Sequence, residues 1–193
     1  MNTSRTFIAF DFPNQVIEKI NKLQKSLSGS ASLRIRWIKP ENIHLTLKFL
    51  GEVELVRIQI IEKTLDIIAN EIEPFHLNLE GIGAFPNWRL PRIIWIGIEK
   101  SEPLLLLAKK IEENLRNLGC QSEAKPFSPH LTIGRVRDNS SFEDSQMLEN
   151  KCRIFTGIVD QILITKIHVY KSDLHSFGPV YTLLHTSSFK ATL

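Results

Sequence analysis

The stretch His44-Leu45-Thr46-Leu47 is the most informative part of this sequence, because a similar stretch occurs again as His130-Leu131-Thr132-Ile133. Both copies lie in apolar runs that are rich in β-branched residues, and such runs predict strands. Side chains alternate between the two faces of a strand, so the histidine and the threonine share one face. Each strand therefore offers an imidazole and a hydroxyl on one side and an aliphatic pair on the side that packs.

Two such strands that face a common cleft predict a site for a small anion. A pair of histidines can act as a general base and a general acid in one displacement. For attack at phosphorus the entering and leaving oxygens lie roughly in line, so the imidazoles should stand on opposite sides of the phosphate. Hydroxyl groups can donate hydrogen bonds to its other oxygens. We therefore take His44 and His130 as candidate catalytic residues and Thr46 and Thr132 as candidate phosphate ligands.

Two cationic residues close to the motifs are further candidates for substrate binding. Arg135 follows His130 by five positions, which would place it on the wrong face of a regular strand. A bulge at Gly134 would turn Arg135 back toward the cleft, where its guanidinium would suit a phosphate. Lys48 follows His44 by four positions and shares its face by parity. The alternative for Lys48 is a solvated lysine at a strand end.

The remaining histidines lack the motif, and we interpret them as structural residues: His76, His168, His175 and His185. A metal site is the rival interpretation of a histidine-rich cleft. The chain has no helical HExxH pattern and no aspartate cluster close to the histidines, so we expect no metal and no cofactor.

Composition restricts the class of protein without naming its partner. Hydrophobic residues make up 42% of the 193 positions and charged residues 23%, which is typical of a globular protein. The formal net charge of +3 permits an anionic ligand but does not require nucleic acid. Cys120 and Cys152 form neither a disulfide framework nor a zinc-ligand spacing. No apolar run approaches the roughly 20 residues of a membrane helix, so we expect a soluble, cytoplasmic protein.

Strand-like and helix-like patterns alternate along the chain, and the two motifs lie 86 residues apart (130 − 44). They predict an α+β protein with two antiparallel-rich sheets back to back around a cleft and helices outside. A doubly wound parallel sheet is the alternative, but the late run of strands argues against it. More detailed expectations are a strand at 152–157, a loop at 172–179, a short helix within the polar segment 138–151, and a helix at about 52–71 whose inner face is Val56, Ile60, Leu65 and Ile68.

Further segments surround the two motifs in a specific combination, namely residues 7–11, 40–52, 83–86, 126–135, 170–174 and 178–181, with Trp37 and Trp95. Together with the duplicated His-x-Thr pattern, they resemble the two-histidine phosphoesterase superfamily. Within it, the chain is most similar to the RNA 2′,3′-cyclic phosphodiesterases, also called 2′-5′ RNA ligases (LigT-like). The similarity covers nearly the whole chain.

This resemblance implies a bilobal fold with pseudo-two-fold related halves, in which residues 1–193 form one domain of two interleaved lobes. It implies metal-independent opening of terminal RNA 2′,3′-cyclic phosphates to 2′-phosphomonoesters, with reversible 2′-5′ ligation as a further activity. It makes His44 the proton donor and His130 the proton acceptor, while Thr46, Thr132 and Arg135 hold the phosphate. The expected partner is an RNA with a 2′,3′-cyclic phosphate end, such as a tRNA fragment, or a small nucleotide. We expect the protein to be a monomer that binds no membrane.

Other functions fit the same residues. A phosphoesterase of this superfamily could act on a small cyclic nucleotide, such as an ADP-ribose cyclic phosphate, or on a 2′-5′ oligoadenylate. A non-catalytic module that holds RNA 3′ ends is the alternative from another class. Phe10 and Phe127 are either members of the core or part of a base-binding region.

Overall fold

The computed structural model describes residues 3–29, 34–137, 141–154, 161–176 and 178–191. Within these ranges the chain forms nine strands, four helices and a 3₁₀ turn at Pro40–Asn42. The strands are β1 Thr3–Phe10, β2 Ile35–Trp37, β3 Leu45–Glu54, β4 Phe75–Phe85, β5 Ile93–Ile98, β6 His130–Val136, β7 Gln161–Ile164, β8 Lys166–His175 and β9 Gly178–Ser188. The helices are α1 Asn14–Leu27, α2 Leu55–Ala69, α3 Glu102–Asn117 and α4 Phe142–Ile154.

The strands form a curled antiparallel sheet in the order β7-β4-β5-β6-β3-β1-β8-β9, with β2 beside β6. Its centre is narrow, because β3 and β6 pair only at Leu45 and Leu131. These leucines directly follow the two motif histidines, so the motif strands are related by an approximate two-fold axis at this seam. The α+β class and the antiparallel sheets are confirmed. The two expected sheets are joined edge to edge at the seam.

The seam divides the sheet into two lobes, and helices α1 and α3 cross between them. The first lobe contains β3, β1, β8 and β9, and the second contains β6, β5, β4 and β7 with β2. Helix α1 follows β1 of the first lobe but packs on β6 of the second, where α4 packs on β4. Helix α3 follows β5 of the second lobe and packs on β3, next to α2. Each lobe is therefore covered by a helix that begins in the other.

The helices form where apolar residues recur at helical spacing. Helix α1 buries Val16, Ile20, Leu23 and Leu27, as their spacing predicts. Gly29 follows with a positive φ of 81°, which suits a helix end.

Helix α2 buries a different face from the one that the sequence predicted. Leu65 and Ile68 are buried as expected, but Val56 is 73% exposed and Ile60 is 48% exposed. Ile58 and Ile61 take their places in the core. The prediction was wrong because β3 continues through Glu54 and because α2 is apolar on several sides, so its periodicity does not select one face.

Two predictions in the last third of the chain also need correction. Residues 152–154 end α4 instead of forming a strand, while 155–157 lie outside the described residues. The expected loop at 172–179 is largely a hairpin, because β8 reaches His175 and β9 begins at Gly178. The helix expected within the polar segment is present as α4. In the part of the chain that the structure describes, no helix is long and apolar enough to cross a membrane.

Candidate active site

Each motif strand contains a β-bulge one residue after its threonine. On β3, Leu47 is an extra residue between two positions that pair with neighbouring residues of β1. On β6, Ile133 is the extra residue opposite β5. A bulge shifts the alternation of side chains by one position. The residue five positions after each histidine therefore returns to the histidine's face, and these residues are Phe49 and Arg135. The bulge predicted at Gly134 is present one residue earlier.

Five predicted site residues meet around one cavity of about 710 Å³ at the seam between the lobes. They come from the two motif strands and are His44, Thr46, His130, Thr132 and Arg135. The cavity places two imidazoles, two hydroxyls and a guanidinium around one volume. That set provides proton-transfer groups and anion ligands in the same place.

Lys48 does not belong to this cavity, so the prediction that it shares the face of His44 is wrong. Its side chain is 2% exposed and lies on the helix side of β3, because the bulge at Leu47 reverses its parity. The Lys48 ammonium donates to Glu112 Oε2 at 2.5 Å and to the Gln121 carbonyl at 2.9 Å. Burial alone would raise the pKa of Glu112, but its hydrogen bond and ion pair with Lys48 lower it overall. Lys48 therefore joins β3 to α3.

The two histidines are held by matching backbone contacts. His44 Nδ1 lies 2.9 Å from the Asn42 carbonyl, and His130 Nδ1 lies 2.7 Å from the Ser128 carbonyl. In each case the acceptor is two residues earlier in the chain. A carbonyl can only accept, so each Nδ1 carries the proton and donates it. This leaves Nε2 of both rings for proton exchange with a ligand.

The surroundings of the two imidazoles differ. The His44 ring packs against Phe7 at 4.8 Å and Tyr181 at 5.2 Å between centroids. Burial lowers the pKa of His44, and this effect outweighs the Asn42 carbonyl and the Asp11 charge, which raise it. The His130 ring lies edge-on to Phe85 at 4.9 Å.

The cavity also contains residues that the sequence reasoning missed. Arg5 of β1 and Tyr181 of β9 line it, together with Phe49, which is 58% exposed. Burial raises the pKa of Tyr181, whereas the charges of Arg135 and Arg5 lower it, so both cations act on the same ring. If a bulge had been predicted in the first motif strand as well as in the second, Phe49 would have been placed in the cavity. No local signal identifies Arg5 or Tyr181, because pairing across the sheet places them in the cavity.

Other singled-out residues lie elsewhere. His168 is buried with Nδ1 2.9 Å from Thr186 Oγ1, and His185 Nε2 lies 2.7 Å from Asp66 Oδ1. Phe10 is fully buried in the core, and Phe127 packs against the outside of the core. Among the described residues, no three His, Cys, Asp or Glu side chains form a group that could hold a metal ion.

The sequence matches a known family in both halves. The profile described as LigT like Phosphoesterase matches residues 10–95 and again residues 96–181. Each match begins at a residue that pairs with a motif leucine, because Phe10 pairs with Leu45 and Ile96 pairs with Leu131. The two matched segments therefore begin at equivalent places, in agreement with the two-fold relation of the lobes. The chain belongs to the LigT-like phosphoesterase family.

Two archaeal relatives are similar to this chain over most of their length. The RNA 2′,3′-cyclic phosphodiesterase of Archaeoglobus fulgidus is 40% identical over 133 residues, which cover 69% of this chain and 73% of the relative. The protein of the same name from Methanocaldococcus jannaschii is 34% identical over 93% of this chain and 98% of its own.

Solved structures share the fold. The protein TT0787 of Thermus thermophilus has a TM-score of 0.81 at 24% identity, over 96% of this chain and 98% of its own. E. coli LigT, crystallised with 3′-AMP, has a TM-score of 0.74 at 25% identity, over 98% of this chain and 100% of its own.

Proposed function

We propose that this protein is an RNA 2′,3′-cyclic phosphodiesterase that opens terminal cyclic phosphates to 2′-phosphomonoesters. The observation that carries the proposal is the shared cavity in which two identically anchored histidines meet two threonines and Arg135. The names of the curated relatives support the substrate class. The complex of E. coli LigT with 3′-AMP supports a nucleotide as the kind of ligand.

The proposed reaction is an in-line displacement at phosphorus. His130 Nε2 accepts a proton from water as the water oxygen bonds to phosphorus. The bond from phosphorus to the 3′ oxygen breaks, and His44 Nε2 donates a proton to that oxygen. The products are a 2′-phosphomonoester and a free 3′ hydroxyl. Thr46, Thr132 and Arg135 stabilise the non-bridging oxygens, whose negative charge is held in the transition state.

The direction of proton transfer follows the family resemblance and is supported by the effect of burial on His44. Burial lowers the pKa of His44, so its imidazolium is a stronger acid than an exposed one. A stronger acid suits donation to a sugar alkoxide, which is a poor leaving group. An anionic phosphate in the cavity would favour the protonated form of His44 before the reaction.

The charges and rings that line the cavity support a nucleotide ligand. Arg5, Arg36 and Lys39 supplement Arg135 on its walls, so the cavity is strongly cationic. Phe49 presents an exposed ring, and exposed rings in cationic clefts are stacking surfaces for bases. We propose Phe49 as a contact of the terminal base.

Several coarser features belong to the same proposal. We propose that residues 1–193 act as one catalytic domain, because both lobes contribute to the site. The enzyme is expected to act on RNA ends as a cytoplasmic monomer without a metal. It is also expected to catalyse reversible 2′-5′ ligation, in which the 5′ hydroxyl of a second strand attacks the cyclic phosphate in place of water and the 3′ oxygen leaves.

The decisive experiment is incubation with a single-stranded RNA that ends in a 2′,3′-cyclic phosphate, followed by identification of the product isomer. We expect a 2′-phosphomonoester, and the same rate in the presence of a chelator. A 3′-phosphomonoester or a rate restored only by added metal would contradict the mechanism. Faster turnover of an ADP-ribose cyclic phosphate or a 2′-5′ oligoadenylate would identify that molecule as the substrate instead of RNA. Binding of the RNA without turnover of any of these substrates would contradict a catalytic function.

A further inference from the structure

Four arginines lie along one face of the ribbon formed by β2 and β6 and by the residues that extend it, Arg34 before β2 and Arg137 after β6. Arg36 of β2 lies directly opposite Arg135 of β6. One step further from the seam, the Arg137 N–H donates to the Arg34 carbonyl at 2.8 Å, so these two residues form the next row on the same face. All four residues are exposed. We refer to Arg34, Arg36, Arg135 and Arg137 as the arginine ladder.

The arginine ladder continues the functional face of the second motif strand. With the bulge included, His130, Thr132, Arg135 and Arg137 follow one another on that face. Arg36 and Arg135 line the active-site cavity. The outer row and Arg36 line an adjoining cavity of about 450 Å³. The ladder therefore leads from the reacting phosphate out onto the surface of the second lobe.

The outer row, formed by Arg34 and Arg137, costs stability unless an anion lies between its two guanidinium groups. Like charges directly opposite each other on a sheet are destabilising, with Cβ atoms about 5 Å apart. Within the described part of the chain, Arg34, Arg135 and Arg137 form no salt bridge with a carboxylate. Bound anions would replace this repulsion with charge-assisted hydrogen bonds.

The spacing of the rows indicates which anion would fit. The rows are two residues apart along each strand, which is about 6.7 Å. This distance is comparable with the separation of successive phosphates in an extended single strand of nucleic acid. The planar guanidinium fork binds phosphate oxygens in pairs. A regular polyanion fits this arrangement better than the irregular carboxylates of an acidic protein segment.

We infer that the arginine ladder binds the backbone phosphates that precede the cyclic end of an RNA strand. This inference rests on the proposed function and makes its substrate class narrower. The substrate is a single-stranded oligonucleotide whose chain leaves the cavity over β2 and β6. Phosphate contacts of this kind carry no base specificity, so the ladder selects for strand length and not for sequence.

The test compares two substrates, a nucleoside 2′,3′-cyclic phosphate and a short single-stranded RNA with the same terminal cyclic phosphate. In the wild-type protein, kcat/KM should be higher for the RNA. The Arg34→Gln, Arg137→Gln double variant should reduce the ratio of the two kcat/KM values roughly 3- to 30-fold. On the RNA, the slope of log kcat/KM against log salt should become shallower by about 1.4, since each phosphate contact contributes about 0.7.

A matched control removes two positive charges elsewhere. Lys63→Gln with Arg116→Gln changes exposed residues on the outer helices and should leave the substrate ratio at the wild-type value. The ladder variant should also unfold at the same or a higher temperature, because it removes like-charge pairs, whereas loss of a purely structural contact would lower that temperature.

The outcomes separate this inference from the proposed function. A wild-type protein that opens neither substrate would overturn the function. A wild-type protein that opens both, with a ratio and salt slope equal to those of the ladder variant, would overturn only the ladder. Equal losses on both substrates would also overturn it, since they would indicate an effect on the cavity itself.

Discussion

Five residues after the motif histidine, the first lobe has Phe49 and the second lobe has Arg135, although both strands bulge at matching positions. The backbone therefore presents equivalent positions to the cavity from two sides. One position carries an exposed ring and the other carries a cation. In the proposed reaction, the approximate two-fold symmetry supplies the two acid–base groups. We propose that the departure from symmetry separates a side for the nucleoside from a side for the phosphate.

The residue four positions after each motif histidine also differs between the lobes, and it lies on the packed face of its strand. Lys48 of the first lobe is long and buried, and it pairs with α3. Gly134 of the second lobe leaves no room for a side chain, because a Cβ there would lie 2.9 Å from Ile35 Cγ2 and 3.0 Å from the Trp37 ring. A duplicated strand thus keeps its geometry while each lobe fills the space beneath it differently.

Removal of either motif histidine tests the symmetric part of this comparison. His44→Ala and His130→Ala should each lower kcat on a cyclic phosphate by about 10²- to 10⁴-fold, which is the usual contribution of a positioned acid or base. Steady-state kinetics and circular dichroism measure activity and folding together. Activity within about tenfold of wild type in a folded variant would remove that histidine from the reaction.

Arg135→Gln tests the cationic side. The loss of one preorganised donor to the transition-state oxygens should reduce kcat/KM by roughly 10²- to 10³-fold. Because the proposed role of the guanidinium is to bind the phosphate, the loss should be similar for substrates with and without a base. Arg116→Gln on the surface of α3 is the matched control. A loss that depends on the base would assign Arg135 to the nucleoside instead.

Phe49→Ala tests the aromatic side. We expect kcat/KM on an adenosine 2′,3′-cyclic phosphate to decrease about 5- to 150-fold, the range for one base–ring stack. A ribose 2′,3′-cyclic phosphate without a base should show little change. Phe142→Ala removes a ring of similar exposure, 57%, from the surface of α4 and serves as the control. Equal losses on both substrates would indicate that Phe49 only supports the fold of β3.

The pH dependence of the two histidine variants tests which ring donates the proton. In His130→Ala the remaining step needs protonated His44, so its residual rate should decrease about tenfold per unit as the pH rises above the His44 pKa. Burial disfavours the cation and holds the His44 pKa below the ordinary value of histidine. His44→Ala lacks this proton donor, so its residual rate should not decrease over the same pH range. A rate that decreases with pH in His44→Ala and not in His130→Ala would exchange the two roles.

Lys48→Met and Gly134→Ala test the packed faces. The first should lower the free energy of unfolding by about 1–3 kcal/mol, because Glu112 and the Gln121 carbonyl lose a buried partner. The second should cost about 1–3 kcal/mol through overpacking against Ile35 and Trp37. Chemical denaturation measures both, with Lys63→Met as a surface control. An unchanged unfolding midpoint for Lys48→Met would mean that its ion pair contributes no net stability.

Predictions from the local residue pattern were correct where a single strand fixes the face on which a side chain lies. The alternation of a strand placed each histidine and threonine on one face, and a glycine beside Arg135 indicated the bulge. The same reasoning failed at Lys48, since no glycine marks the bulge at Leu47. It also failed along α2, where apolar residues on several sides hide the buried face.

The local residue pattern is enough to predict that two similar strands each carry an imidazole and a hydroxyl, and that their chemistry suits a phosphate. The three-dimensional packing of the chain pairs Leu45 with Leu131, so that both histidines reach one cavity. It alone brought Arg5 and Tyr181 to that cavity and aligned Arg36 with Arg135. The reason is that side-chain alternation follows from a strand's own backbone, whereas register and neighbours across a sheet depend on the packing of residues far apart in the chain.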